Sequence, residues 1–203
     1  MPSPNVVKIN VAESYYHVYA RGVDRQTIFR DNYDFEYFQY LLKRYLSIKP
    51  HLSKEGTYYP HFAGNIELLC YCLMNNHFHL LIYQVEESSM PHLMRSLMVS
   101  YSRYFNLKYR RTGPLFESRY KASSIKGGSH LEHISRYIHM NPRYWKQYPY
   151  SSLSQYLSNQ CTEWLNPQRV LIMYPTRKAY YETLLAYEDQ KQLLKEIKHE
   201  LAC

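Results

Sequence analysis

Two apolar runs, Glu67–Met74 (ELLCYCLM) and His77–Tyr83 (HFHLLIY), flank the pair Asn75-Asn76, and no other stretch constrains the fold as tightly. Each run has strand length, and asparagine tolerates the positive φ of a tight two-residue turn, so the segment reads as an antiparallel hairpin. Side chains alternate faces along a strand. His77 and His79 therefore project together, while Phe78 and Leu80 face the other way. Two imidazoles on one face at that separation can share a divalent metal, provided both are neutral. Taken alone, such a pair is more often an accident of composition than a metal site.

The hairpin sits among elements of both kinds. Tyr15–Arg21 (YYHVYAR) is rich in β-formers and ends at Gly22, which predicts a strand. Asp31-Asn32 offers an N-cap to a helix with Phe35, Phe38, Leu41, Leu42, Tyr45 and Leu46 at 3/4 spacing. Residues 50–65 hold two prolines and two glycines and read as a loop or an inserted ribbon. A long helix over about Ser89–Lys108 puts Leu93, Leu97, Met98, Tyr101, Tyr104 and Phe105 on one side, before the breaker Gly113-Pro114. Leu115–Ile125 reads as another strand, and Ser129 with Glu132 forms a capping-box pattern for a helix reaching about Asn141, stopped by Pro142. A charged helix starts at about Thr176, and residues 1–13 look like a loose arm. Alternating strands and helices with one clear hairpin predict an α+β sandwich, an antiparallel sheet with helices on one face. At 203 residues there is room for one domain with a sizeable core, plus appendages.

Charge narrows the partner. Twenty-five Lys+Arg against 17 Asp+Glu give +8, which favours a polyanion through counterion release. The 24 tyrosines are mostly structural, with a few available to stack on unpaired bases. Cys70 and Cys72 are spaced for neither a redox pair nor a zinc knuckle and read as buried free thiols. No membrane span and no signal peptide are legible, so a cytoplasmic location is expected.

The helix of residues 129–141 carries the second candidate constellation. Leu131, Ile134 and Ile138 form its buried stripe, and Tyr137 and Asn141, one turn apart, sit at the stripe's edge. Taken alone, they are better explained as an ordinary half-buried tyrosine and a C-terminal capping asparagine before Pro142. A tyrosine is nevertheless a sensible nucleophile toward a phosphodiester, because phenolate leaves readily and the phosphotyrosyl bond retains the energy for rejoining. A metal on two imidazoles and one amide oxygen would neutralise charge on the phosphate.

These residues resemble the single-tyrosine HUH transposases, which include the REP-associated tyrosine transposases. The resemblance rests on His77-Phe78-His79 within YCLMNNHFHLLI, on Arg136-Tyr137-Ile138-His139-Met140-Asn141-Pro142, and on YHVYARGVDRQTIF, SRYFNLKYRRTGPLFESRYKA and the YPYSS run. It spans roughly residues 13–157. It implies a ferredoxin-like α/β sandwich with the HUH strand inside its sheet, a nuclease domain over 1–157 and a mostly helical C-terminal extension over 158–203. It further implies Tyr137 as nucleophile, His77, His79 and Asn141 as ligands of Mg²⁺ or Mn²⁺, and no nucleotide cofactor. The implied substrate is single-stranded DNA near a hairpin, cut through a 5′-phosphotyrosine. A homodimer that exchanges the tyrosine helix is a further implication, with Gly127-Gly128 as its hinge or, more simply, a turn. Arg103, Arg111, Arg119 and Lys121 are the best candidates for backbone contacts, and Tyr120 for stacking. Arg177, Lys178, Lys191, Lys195 and Lys198 fit a solvated helix face better than a DNA contact. Two alternatives stay open: a hairpin-binding protein that no longer cuts, and a metal-dependent hydrolase of nucleic acid that activates water.

Overall fold

In the computed structural model, which describes residues 10–158 and 160–200 with side chains as far as Asp189, the hairpin forms as predicted. β2 (Ile66–Met74) and β3 (His77–Gln84) pair antiparallel from Met74↔His77, with a register irregularity between Leu68 and Cys70. Neither Asn75 nor Asn76 adopts a positive φ. The turn is held from outside instead: the Asn75 carbonyl accepts the Ile28 and Phe29 amides at 2.7 and 3.0 Å, and the Asn76 carbonyl accepts that of Gly22 at 2.9 Å.

β3 lies inside a four-stranded sheet of order β2-β3-β1-β4, completed by β1 (Ser14–Arg21) and β4 (Lys121–Ile125). β1 runs antiparallel to both of its neighbours. Helix α1 (Asn32–Leu46) connects β1 to β2, and α2 (Ser89–Lys108) connects β3 to β4. Two interleaved βαβ units in this order make the ferredoxin-like sandwich. Asp31 caps α1 as predicted, its side chain accepting the Asp34 amide at 3.1 Å. Phe38, Leu41, Leu93, Leu97 and Tyr101 of the two helices bury against Val18, Phe78, Leu80 and Ile82 of the sheet. Truncating a side chain as buried as Phe78 to alanine costs about 3–5 kcal/mol.

Helices on one face describe only half of the arrangement. The opposite face carries α3 (Gly128–His139), α4 (Leu153–Leu157), α5 (Gln168–Leu171) and the start of α6 (Arg177–Glu200). Leu131, Ile138, Tyr156, Val170, Tyr180 and Leu184 pack there with Leu69, Cys70, Cys72 and Leu81. β2 explains why. Its run is continuously apolar rather than alternating, as expected of a strand buried on both sides, and the thiols of Cys70 and Cys72 are free and buried within it. The chain after α3 also covers the outer edge of β2, where Ser151 bridges Cys72 and the Leu73 amide donates to Tyr150. Covering an edge removes a site for unwanted strand pairing.

Two boundaries differ from the sequence reading. The strand expected over Leu115–Ile125 is split: Phe116 makes a single bridge to Gly22, and β4 starts only at Lys121. Leu115, Phe116 and Tyr120 are buried while residues 117–119 are exposed, a pattern no continuous alternating strand can have. Helix α3 begins at Gly128 with Gly127 as its cap, so Ser129 lies inside the first turn instead of capping it. Gly127 and Gly128 have φ of 83° and 53°, so this pair forms a turn for which glycine is suited. No helix of the described residues is long and apolar enough to cross a membrane. Residues 1–9 of the expected arm, and the side chains of Lys191, Lys195 and Lys198, lie outside the described residues.

Candidate active site and adjoining groove

Alternation along β1 and β3 places His17, Tyr19, Arg21, His77 and His79 on the face that carries α3. Together with Ser123 of β4 and His133, Ile134 and Tyr137 of α3 they line a pocket of about 420 Å³. The rings of His77 and His79 lie 5.0 Å apart and nearly perpendicular, and Phe78 between them points into the opposite core. Tyr137 is 39% exposed, enough for its hydroxyl to meet a ligand, and its ring stands edge-on to His79 at 5.5 Å and to His17 at 5.8 Å. The tyrosine and both histidines therefore meet within one chain.

Asn141 follows the end of α3 and brings its amide oxygen to 3.2 Å from His77 Nε2. The other nitrogen of that ring, Nδ1, is 2.6 Å from the Asn76 side-chain oxygen. With Nδ1–H donated to Asn76, His77 Nε2 carries a lone pair and faces the Asn141 oxygen, acceptor against acceptor. A cation between them resolves that opposition, so the donor set fits a divalent metal. Burial pushes the pKa of His77 below the ordinary histidine value and that of His79 well below it, with the Arg21 charge acting in the same direction. Burial brings His17 down to about 4, with a smaller push from His130. All three rings are thus held in the neutral form that ligation requires. Among the described residues, no three His, Cys, Asp or Glu side chains group as a metal site, so a metal on His77 and His79 would need a donor of another kind, such as the Asn141 amide oxygen.

Behind the pocket, α3 is anchored through His139, which is fully buried. Its Nδ1 pairs with the Tyr180 hydroxyl at 2.6 Å and its Nε2 with the Ser152 hydroxyl at 2.8 Å. Tyr180 belongs to α6, so the C-terminal extension grips the helix that bears Tyr137.

Arg103, Arg111, Arg119, Tyr120 and Lys121 all line one groove of about 1530 Å³ between α2 and the segment leading into β4. Arg103 and Arg119 are exposed. Arg111 is tied to Asn106 and to the Pro114 carbonyl, and Lys121 to Glu117 at 3.5 Å. Tyr120 is buried and packs in the α1/α2 core, so it walls the groove and does not present a free ring for stacking. Arg95 of α2 also lines the groove. Groove and pocket adjoin at β4, where Lys121 belongs to one and Ser123, two residues on, to the other.

His17 and Arg21 had no signal of their own in the sequence. They lie at alternate positions of β1, yet only the strand order reveals that β1 sits beside the His77 strand.

Residues 61–141 match the family of IS200-like transposases. No curated protein matches the chain. Among solved structures, the chain is similar to a REP-associated tyrosine transposase bound to a REP hairpin, at 13% identity and a TM-score of 0.52, over 75% of this chain and 84% of that one. A more distant likeness, 15% identical with a TM-score of 0.39, over 68% of this chain and 95% of the other, is to a protein of Deinococcus radiodurans R1 whose transposase assignment is provisional.

Proposed function

We propose that this chain, whose residues 61–141 match the family of IS200-like transposases, is a transposase of that kind that cuts and rejoins single-stranded DNA beside a hairpin, with Tyr137 as its nucleophile. The observation that carries the reading is the convergence, in one pocket, of an accessible Tyr137 with His77 and His79. The tyrosine oxygen attacks the scissile phosphorus and forms the bond to the 5′-phosphate, while the 3′-oxygen leaves and takes up a proton as the new hydroxyl. The phenol proton passes to solvent in the open pocket. Attack by a 3′-hydroxyl on the phosphotyrosine reverses these events and joins the strands.

His77, His79 and Asn141 would hold Mg²⁺ or Mn²⁺, which would polarise the phosphoryl oxygen under attack. Arg21, on the pocket wall, adds positive charge where the phosphate sits. The groove supplies the approach: Arg95, Arg103, Arg111, Arg119 and Lys121 offer backbone contacts, and a strand lying along it runs past β4 toward Tyr137. Residues 1–157 form the nuclease unit in this reading, and 158–203 an extension that steadies it.

An adduct assay tests the proposal. Labelled single strands bearing hairpins are incubated with Mn²⁺ or EDTA, using the parent protein and Tyr137→Phe, and run on a denaturing gel. A metal-dependent shifted band that vanishes in Tyr137→Phe is expected. Cleavage without a shifted band, surviving in Tyr137→Phe, would instead mean hydrolysis by activated water. Binding without cleavage in any metal would mean a hairpin-binding protein.

A further inference from the structure

The sheet carries a third histidine against the pair just described. His17 of β1 lies diagonally across from His79, because Tyr19 is the residue paired with His79 and His17 the next on the same face. His17 Nε2 is 2.8 Å from His79 Nδ1. The two rings are tilted by only 25° with centroids 5.0 Å apart. That separation is what the nitrogen–nitrogen distance plus two ring radii requires, so the rings lie end to end and share an in-plane hydrogen bond. Both side chains are buried, His17 at 8% and His79 at 5% exposure, so water competes little for that bond.

We propose that His17 is a positioning residue that fixes the tautomer and orientation of His79. With His17 Nε2 as acceptor, the proton of His79 must sit on Nδ1, and the Nε2 lone pair is directed toward the pocket. The reverse polarity would leave a proton on His79 Nε2 and remove its capacity to ligate. A ligating histidine is commonly held through its second nitrogen by a carboxylate or carbonyl, and loss of that partner costs 10–100-fold in metal affinity. Here an imidazole on the neighbouring strand fills that role, and Asn76 fills it for His77. The inference deepens the metal site proposed above and rests on that reading.

The test uses the full chain carrying Tyr137→Phe, so that no chemistry intervenes. Mn²⁺ affinity is read by electron paramagnetic resonance, and the tautomer of His79 in metal-free protein by ¹⁵N NMR of the imidazoles. The parent should show His79 protonated on Nδ1. His17→Phe, which removes the acceptor, should lower Mn²⁺ affinity by about 10–100-fold and release the tautomer, with the melting temperature as the check on folding. His17→Gln, which keeps an acceptor near the end of the side chain, should recover part of the affinity. Unchanged affinity and tautomer in His17→Phe would overturn the proposal, and so would a parent whose His79 carries its proton on Nε2, even if the variant does not fold. A parent that binds no Mn²⁺ sinks the metal site alone, and the tautomer of His79 then decides the role of His17.

Discussion

At the scale of single residues, the pocket's chemistry depends on which imidazole nitrogens are free. Metal and proton compete for the same lone pair, so a histidine pKa sets the acid limit of ligation. Two unshifted imidazoles at pH 6.5 would each be half protonated, and together they would lose affinity roughly fourfold relative to high pH. Burial lowers the pKa of both His77 and His79, the latter well below the ordinary value, and protonation starts only at lower pH. Mn²⁺ affinity of Tyr137→Phe should therefore change by less than about twofold between pH 7.5 and 6.5, and weaken as the pH falls further. A loss of about threefold between pH 7.5 and 6.5 would show that the two rings titrate as if exposed.

At the scale of elements, α2 and α3 carry the predictions. Arg103 and Arg119 both line the groove and are exposed, so reversing both to glutamate should leave stability within about 0.5 kcal/mol per substitution. Affinity for single-stranded DNA should fall and its salt dependence flatten, as read by fluorescence anisotropy at several salt concentrations. Unaltered binding would remove the groove from the DNA path. Helix α3 is tied to the extension through His139 and Tyr180, and Tyr180→Phe leaves a buried ring nitrogen without its partner. The expected cost is about 1–3 kcal/mol, seen as a lower melting temperature, together with slower adduct formation as α3 loosens. The Tyr137/Asn141 spacing was legible because a turn of helix is a local property. The His139–Tyr180 pair was not, because 41 residues separate its members and no local period connects them. The split of β4 was hidden for a related reason: Leu115–Ile125 has strand-forming residues throughout, and only packing shows that residues 117–119 bulge into solvent.

At the scale of the whole molecule, the sheet order and its burial on both faces decide how the protein responds to acid. The α1/α2 layer followed from helical periodicity, whereas the second layer was visible only in the unbroken apolar run of β2. That second layer encloses His139 and, at the pocket, His17. Burial lowers their pKa values to about 3 and about 4. Unfolding exposes both and restores values near 6.5, so the unfolded chain binds these protons first and stability rises with pH across the window. The loss sets in as pH falls below about 6.5 and levels off only below about 4 for His17 and about 3 for His139. Between pH 7 and pH 5 each should remove about 2 kcal/mol of stability. The net charge of +8 grows as carboxylates protonate below that range and adds self-repulsion to the same trend. Urea unfolding at pH 7 and pH 5 should show this loss, and in His139→Gln the difference between the two pH values should shrink by about 2 kcal/mol even though the variant is less stable at pH 7. Equal differences in parent and variant would mean that His139 does not remain neutral in the folded chain, and that the interior of the second layer admits a charge.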